Sequence, residues 1–203
     1  MIIGLTGNSG CGKSSVAEIL REEYGAFIID ADEVAHKVLL RTFGLSAYAE
    51  VVAEFGEGIL SADGEIDRRK LGKIVFENDR LRRRLIEITH KYIVKEMLSR
   101  LDFARDKHPF VVMDAPLLIE AGLHEKSDSV WLVYAAQEAR LSRIVSRDGL
   151  TEAEARKRIA SQTSHEELRK YADVVIDNSQ GPERLRAEVR KAISTSPIQN
   201  INK

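Results

Sequence analysis

The fold is decided by one stretch near the N-terminus, Gly7-Asn8-Ser9-Gly10-Cys11-Gly12-Lys13-Ser14. The stretch matches the pattern G-x-x-x-x-G-K-[ST] at every fixed position. The apolar run Ile2–Thr6 before it is predicted as a buried strand, and Lys13–Tyr24 after it has the spacing of an amphipathic helix. A chance glycine-rich turn would lack this strand and this helix. The sequence therefore predicts a phosphate-binding loop.

The fixed residues of the loop each have a chemical role in binding a nucleotide. Glycines let the backbone turn its N–H groups inward around a phosphate, and the following helix points its positive end at the same place. Lys13 can reach the β- and γ-phosphates, and the Ser14 hydroxyl can ligate Mg²⁺. Cys11 is interpreted as a small side chain at a variable position rather than as a reactive thiol. The predicted ATP contacts are Gly7, Gly10, Cys11, Gly12, Lys13, Ser14 and Ser15.

Four further apolar runs predict additional strands. They lie at residues 26–29, 110–113, 130–134 and 174–176, and stretches with helical spacing separate them. Continuous apolar strands that alternate with helices are typical of a parallel sheet covered on both faces. The sequence therefore predicts an α/β fold of the P-loop NTPase type, with a five-stranded parallel sheet flanked by helices.

Two long segments without a strand pattern interrupt this sheet domain. The first contains four predicted helices, at residues 33–41, 46–55, 69–76 and 79–102. It is too long for a simple crossover, so we predict an inserted helical substrate lobe. The second is rich in arginine, contains the capping box Thr151-Glu152-Ala153-Glu154, and is predicted as a lid. The predicted boundaries are 1–32 and 109–194 for the nucleotide-binding core, 33–108 for the lobe, 140–168 for the lid and 195–203 for a frayed tail.

Two aspartates, Asp30 and Asp32, follow the second predicted strand directly. Ligands of open α/β sheets bind at the carboxyl ends of the strands, so we expect this strand end to lie beside the phosphate loop. Alternate residues point the same way, which would let one carboxylate accept the proton of an attacking hydroxyl while the other holds a metal or its water. The alternative role for one of them is the N-cap of the helix predicted from Glu33.

The predicted lid carries arginines at helical spacing. Arg140, Arg143 and Arg147 are three and four residues apart and fall on one helical face. Such a face can close over ATP and stabilise charge on the moving phosphoryl group, and we assign this role to Arg143 and Arg147. A solvated helix with glutamate partners is the alternative, and it applies most to Arg156 and Arg158.

Composition narrows the class of partner. The chain of 203 residues carries 31 Lys and Arg against 32 Asp and Glu, a balance that gives no general attraction to nucleic acid or to an anionic membrane. Its single cysteine cannot form an internal disulfide, no apolar run approaches the ~20 residues that span a bilayer, and the N-terminus has no signal-peptide pattern. We expect a cytoplasmic protein with a small-molecule substrate, as a monomer or a weak homo-oligomer.

Beyond the loop, several longer segments match the pattern of one enzyme family. They are Leu5-Thr6-Gly7, Asp30-Ala31-Asp32, Asp67-Arg68-Arg69-Lys70-Leu71 with Val75-Phe76, Ala115-Pro116-Leu117-Leu118-Ile119-Glu120, Arg147-Asp148-Gly149-Leu150, Arg158-Ile159-Ala160-Ser161-Gln162 and Ala172-Asp173-Val174-Val175-Ile176-Asp177-Asn178. Along nearly its whole length the chain resembles dephospho-CoA kinase. The Pro-Leu-Leu-x-Glu and Ala-Asp-x-Val-Ile-Asp-Asn segments are more specific than the phosphate loop alone.

The resemblance implies an activity and a set of residue roles. The family transfers the γ-phosphate of ATP, with Mg²⁺, to the ribose 3′-hydroxyl of dephospho-CoA. By resemblance Asp32 is the base, Arg143 and Arg147 are lid arginines, Arg69 is an active-site arginine of the helical lobe, and Asn178 borders adenine. The candidate acceptor contacts of this sequence are Arg69, His90, Leu117 and Leu118, and its candidate metal residues are Ser14 and Asp30.

Two departures from the family pattern concern single positions. The family often has His-Pro where this chain has His90-Lys91, and often has Gln where this chain has Arg140. They affect the site roles of these residues and not the expected activity. Asp114 is a further candidate acid of the Walker-B type.

Two alternative functions remain open from the residues alone. One is another small-molecule P-loop kinase, with a nucleoside monophosphate or a shikimate-like acceptor. The other is a nucleotide-binding switch without an acceptor. The large helical lobe and the Asp-Ala-Asp segment argue against the first, and the absence of a switch motif argues against the second.

Overall fold

The apolar runs of the sequence form one sheet within residues 1–196, the part of the chain that the computed structural model describes. Its strands are β1 (Ile2–Thr6), β2 (Phe27–Asp30), β3 (Val111–Asp114), β4 (Ser129–Tyr134) and β5 (Val174–Asp177). They are arranged in the order β2-β3-β1-β4-β5. Strand β1 pairs in parallel with β3 and β4, and β4 pairs in parallel with β5. The predicted five-stranded parallel sheet is confirmed.

The strand order corrects one expectation. The sequence predicts that the end of β2 lies beside the phosphate loop, but β3 lies between β2 and β1. The strand end next to β1 on this side is therefore that of β3, where Asp114 stands in register with Leu5. Strand order could not be predicted because a crossover helix permits either neighbour.

Nine helices cover the sheet or form the inserted segments within the described residues. They are α1 (Lys13–Tyr24), α2 (Ala31–Lys37), α3 (Leu45–Phe55), α4 (Arg68–Phe76), α5 (Asp79–Ala104), α6 (Gln137–Asp148), α7 (Glu152–Ala160), α8 (His165–Arg169) and α9 (Pro182–Thr195), with short 3₁₀ helices at Glu57–Ile59 and Leu123–Lys126. None of the helices in residues 1–196 has the length and apolar character needed to cross a membrane. The four helices predicted for the lobe form, with ends that differ by a few residues.

The described chain divides into two units. The first comprises Met1–Ile29 and the described residues from Leu101 onward, and the second is Asp30–Arg100. The sequence places the helical lobe at 33–108. The observed boundary falls inside α5, because the last turn of this helix belongs to the first unit. Leu101 and Ala104 of that turn are buried.

Each unit has its own apolar core. The core of the first unit packs one face of α1 and of α9 against the sheet, through Val16, Leu20, Trp131, Leu185 and Val189. The core of the second unit consists of Val51, Ile59, Ile66, Leu71 and Ile88. A smaller cluster of Leu141, Ile144 and Ala155 joins α6 to α7.

The local signals at the lid and at the C-terminal helix can be compared with the structure. Thr151 is the N-cap of α7 and forms a complete capping box with Glu154, as predicted. Helix α9 extends to Thr195, and Ser196 is buried. These two residues of the predicted frayed tail are therefore ordered parts of the helix end, because the Ser196 hydroxyl donates to the Ala192 carbonyl. Residues 197–203 lie outside the described residues.

Candidate active site

The phosphate loop has a backbone conformation that depends on glycine. Gly12 has φ +90°, a left-handed value that L-residues with a side chain rarely adopt. A Cβ atom at Gly12 would also lie 2.1 Å from Nδ2 of Asn178. Gly7 and Gly10 likewise have positive φ angles of 148° and 78°. Other segments also approach these two glycines closely, since a Cβ atom would lie 2.5 Å from the Val133 carbonyl oxygen at Gly7 and 2.8 Å from the Arg140 carbonyl oxygen at Gly10. The glycines of the loop are thus required both by conformation and by close packing.

The start of helix α1 presents a positive potential to the loop. Gly12 is its N-cap, and its first turn contains no acidic residue. The unsatisfied N–H groups of the first turn are therefore not neutralised by a carboxylate. The Lys13 ammonium donates to the Gly7 carbonyl at 3.0 Å, which folds the side chain back along the loop. This arrangement supplies backbone N–H groups and a lysine cation for a phosphate chain.

Arg143 of α6 and Asn178 after β5 bind carbonyl oxygens of the phosphate loop. The Arg143 guanidinium donates to the carbonyl oxygens of Gly10 (3.2 Å), Cys11 (3.5 Å) and Asn178 (2.8 Å). The Asn178 side chain is buried and donates to the Cys11 carbonyl at 2.9 Å. Because the carbonyls are held on the outer side of the loop, its N–H groups remain directed inward.

Two further contacts connect the lid segment to the loop. Arg140 donates through Nε to the Ser9 carbonyl at 3.0 Å and through a terminal nitrogen to Gln162 at 2.7 Å. Burial lowers the pKa of the Arg140 guanidinium. The Asn8 side chain donates to the Thr163 carbonyl at 2.9 Å. Sequence reasoning missed these partners, although Gln162 belongs to a segment that matches the family pattern.

Arg147 lies one helical turn beyond Arg143 and has a different environment. Its guanidinium binds both carboxylate oxygens of Asp148, at 2.7 and 2.9 Å, and its side chain is 60% exposed. Arg158 binds the same carboxylate at 2.7 Å. Hydrogen bonds from Arg147 are the main reason that the pKa of Asp148 lies below its usual value. The two arginines predicted as a pair therefore have separate partners in the structure.

Cys11 is a structural residue of the loop. Its side chain is only 1% exposed and belongs to the apolar core of the first unit. Burial raises the pKa of the Cys11 thiol, which outweighs the opposite effect of the Lys13 charge. A buried thiol with a raised pKa is a poor nucleophile, in agreement with the interpretation as a small side chain.

The end of β3 contributes a carboxylate and an apolar turn. Asp114 is 8% exposed, and its charge acts on the nearby Cys11 thiol. In the turn that follows, Leu117 is 49% exposed whereas Leu118 is completely buried. The sequence predicts both leucines as acceptor contacts. Leu118 belongs instead to the core, because its side chain packs close to Gly4 of β1.

A cavity of about 450 Å³ opens beside the loop, between the starts of α1 and α9. Gly12, Ser15, Arg143 and Asn178 are among the residues that line it. Its volume is in the range of small-molecule sites. The predicted nucleotide contacts Ser15 and Asn178 therefore border the same cavity as the predicted lid residue Arg143.

In the second unit the two aspartates after β2 have different roles. Asp30 is the N-cap of α2, where its Oδ1 accepts from the N–H groups of Asp32 (2.8 Å) and Glu33 (3.3 Å). Asp32 is exposed in the first turn of α2. Within the described part of the chain, its carboxylate accepts no hydrogen bond and forms no ion pair. The alternative of a cap thus applies to Asp30, and Asp32 retains a carboxylate that no cap occupies.

The acceptor residues predicted for this unit lie on α4 and α5. Arg69 is exposed, and the backbone N–H of Arg69 donates to the N-cap Asp67. His90 is partly buried on α5, next to Lys91, which binds Glu50 at 2.7 Å. The neighbouring Arg68 bonds to Nδ1 of His36 at 2.9 Å. Of these two predicted residues, Arg69 is therefore the more exposed.

Comparison with known proteins places this site in context. The family model described as dephospho-CoA kinase matches residues 1–183. A dephospho-CoA kinase of Geobacter sulfurreducens is 44% identical over 191 residues, which are 94% of this chain and 95% of that protein. The corresponding protein of Geobacter metallireducens is 47% identical over 88% of both chains.

Solved structures agree with these sequence matches. The dephospho-CoA kinase of Campylobacter jejuni superposes with a TM-score of 0.69 at 32% identity over 95% of both chains. The protein TT1252 of Thermus thermophilus superposes with a TM-score of 0.76 at 31% identity over 96% of both chains. A shikimate kinase of Acinetobacter baumannii, at 18% identity and a TM-score of 0.54, shares the fold.

Proposed function

Because the chain belongs to the dephospho-CoA kinase family, we propose that it transfers the γ-phosphate of ATP to the ribose 3′-hydroxyl of dephospho-CoA. The products are coenzyme A and ADP. The family makes the chain a kinase, so a switch without an acceptor is not favoured. Likeness to shikimate kinases is limited to the fold, so a shikimate-like acceptor is not favoured either.

The main observation that supports ATP as the phosphate donor is the geometry of the phosphate loop. Its glycines, the start of α1 and Lys13 together provide N–H donors and a cation at one place. Lys13 exchanges its hydrogen bond to the Gly7 carbonyl for the β- and γ-phosphates when ATP binds. Since phosphoryl transfer needs positioning and charge stabilisation more than covalent chemistry, these groups are the main catalytic elements of the first unit.

The residues present fit a magnesium ion held mainly by substrate phosphates. The described residues contain no group of three or more His, Cys, Asp or Glu side chains that could hold a metal. Mg²⁺ commonly binds through one or two protein oxygens, waters and phosphates, so such a group is not required. The Ser14 hydroxyl at the start of α1 and the Asp114 carboxylate are oxygen donors of this type. When bound, the ion neutralises charge on the transferred phosphate.

Its position after β2 makes Asp30 another candidate for the metal. In the structure one of its carboxylate oxygens caps α2, so direct ligation would compete with two backbone hydrogen bonds. We therefore propose that Asp30 acts at most through a metal-bound water. Asp32 takes the proton of the acceptor hydroxyl, because it follows the same strand and its carboxylate is not used as a cap.

The proposed lid role of α6 leads to a test with three arginines. We expect Arg143→Ala and Arg147→Ala each to lower turnover by at least ~10-fold, about 1.4 kcal/mol of transition-state stabilisation. Arg143→Ala also removes the support of three loop carbonyls, so ATP affinity should fall as well. Arg156→Ala is the matched control, because Arg156 is exposed and pairs with Glu152. Steady-state kinetics would measure all three, and equal effects would contradict the lid assignment.

The proposed function is tested by the choice of acceptor. ADP release is measured with purified protein, Mg·ATP and one of four acceptors: dephospho-CoA, adenosine, a nucleoside monophosphate or shikimate. We expect dephospho-CoA to give the highest kcat/KM by several orders of magnitude. A preference for another acceptor, or slow hydrolysis that none of the four stimulates, would overturn the proposal.

A further inference from the structure

The phosphate loop contacts both ends of the proposed lid, residues 140–168. At one end, Arg140 near the start of α6 donates to the Ser9 carbonyl at 3.0 Å. At the other end, the Thr163 carbonyl, which follows α7, accepts from the Asn8 side chain at 2.9 Å. Asn8 and Ser9 occupy variable positions of the loop pattern, so phosphate binding does not fix their identity. These two positions are therefore available to hold the lid.

Arg140 connects the two ends of the lid to each other as well as to the loop. One of its terminal nitrogens donates to the Gln162 side chain at 2.7 Å, across 22 positions of the sequence. Its backbone also lies against the loop, because a Cβ atom at Gly10 would be 2.8 Å from the Arg140 carbonyl oxygen. A guanidinium holds its donors in a rigid planar fork, so one arginine can bind two acceptors in fixed directions. The hydrogen bonds of Arg140 to Ser9 and Gln162 are named here the Arg140 bridge.

The charge of Arg140 has no counter-ion within residues 1–196. Its side chain is partly buried, forms no ion pair there, and donates only to oxygens without formal charge. Arg147 and Arg158 of the lid differ, since both bind the Asp148 carboxylate. A partly buried cation without a counter-ion is costly unless an anion comes close. The anion that a phosphate loop binds is a polyphosphate.

The two helices of the lid have other contacts that hold them together. Leu141, Ile144 and Ala155 form a buried cluster between α6 and α7. Arg158 of α7 also binds Asp148 at the end of α6, at 2.7 Å. The Arg140 bridge is therefore not required to keep α6 against α7. It adds a hydrogen-bonded link from both ends of the lid to the backbone of the phosphate loop.

We propose that Arg140 is a positioning residue for phosphoryl transfer. Through the Arg140 bridge it fixes both ends of the lid on the phosphate loop, and its unpaired charge strengthens the binding of the ATP phosphates from a distance. Arg143 lies one turn later on α6 and is held in place by the same attachment. This assignment rests on the proposed function, which makes ATP the phosphate donor.

The first test removes the bridge and its charge. We expect Arg140→Met to weaken ATP binding by ~10-fold, measured by calorimetry and as KM for ATP. KM for dephospho-CoA should stay unchanged, since the partners of Arg140 all lie in the first unit. Tm should not fall, because a partly buried cation without a counter-ion does not stabilise the fold. A lower Tm with normal ATP binding would show a structural role only and would contradict the inference.

Arg156→Met is the matched control for this substitution. Arg156 is another arginine that links the two helices of the lid, through Glu152 of α7 at 2.8 Å and Glu138 of α6 at 3.8 Å. It is exposed, and its partners are carboxylates of the lid rather than carbonyls of the loop. Arg156→Met should therefore leave ATP binding unchanged.

The second test asks whether Arg140 and Gln162 act together. Gln162→Ala removes one side of the bridge and keeps the charge of Arg140, so ATP binding should weaken by only ~3-fold. The double variant should bind ATP no more weakly than Arg140→Met alone, because its second change removes a contact that is already lost. Fully additive losses would show that the two residues act independently, which would contradict the bridge.

The outcomes distinguish this inference from the proposed function. ATP binding is measured without an acceptor, so it tests the Arg140 bridge whichever acceptor the enzyme uses. Normal ATP binding by Arg140→Met, or an equal loss in Arg156→Met, would overturn the inference and leave the acceptor assignment standing. A wild-type protein that does not bind ATP would overturn both. Weaker ATP binding in Arg140→Met and Gln162→Ala, without additivity and with a normal Arg156→Met variant, supports the inference.

Discussion

Asp32→Asn is expected to reduce turnover with dephospho-CoA by ~10²- to 10⁴-fold while ATP binding stays nearly normal. In a loose transition state the proton leaves late, so the carboxylate mainly orients the hydroxyl and absorbs its charge. An amide of the same shape cannot accept this proton. Since Asp32 is exposed and is not the cap of α2, the variant should fold normally. Turnover, ATP affinity and Tm are the three quantities to measure.

Asp30→Asn is the matched control for this change. The two substitutions are chemically identical and only two positions apart. Asparagine is as good an N-cap as aspartate, so the start of α2 should be preserved, and the loss of turnover should be much smaller. A larger loss in Asp30→Asn would exchange the two roles. Full activity in both variants would show that the base lies elsewhere.

Lys13→Ala is expected to remove nearly all activity, by ~10³-fold or more, because the charge that develops on the transferred phosphate loses its main cation. In the structure Lys13 forms one partly buried hydrogen bond, to the Gly7 carbonyl. Its loss should cost only about 1 kcal/mol of folding free energy, so Tm should fall by a few degrees. Single-turnover kinetics and thermal unfolding of the same preparation would measure both effects.

Lys13→Arg separates charge from shape in this test. It keeps the positive charge but replaces a compact ammonium with a larger planar group, which the narrow loop does not accommodate equally well. We expect activity between those of the wild type and Lys13→Ala. Unchanged turnover in a folded Lys13→Ala variant would contradict the role of the phosphate loop in catalysis.

Features encoded by neighbouring residues were predictable from the sequence. The phosphate loop, the strands and the capping box at Thr151 and Glu154 were all predicted, and the structure contains them. Each depends on backbone conformation or on hydrogen bonds within a few residues, so a short stretch of the sequence is sufficient to predict it. The family also follows from short segments, because their order along the chain is itself a sequence property.

Features that depend on contacts between distant segments were decided only by the tertiary structure. One such feature is the strand order, in which β3 and not β2 is the neighbour of β1. Another is the burial of Leu118, which packs close to Gly4, whereas Leu117 is exposed. Arg143 and Arg147 are alike in sequence, yet one supports the loop carbonyls and the other binds Asp148. The partners of a side chain depend on the segments that approach it in space, whereas helical spacing gives only the side of the helix on which it lies. For this reason the sequence could not distinguish Leu117 from Leu118 or Arg143 from Arg147.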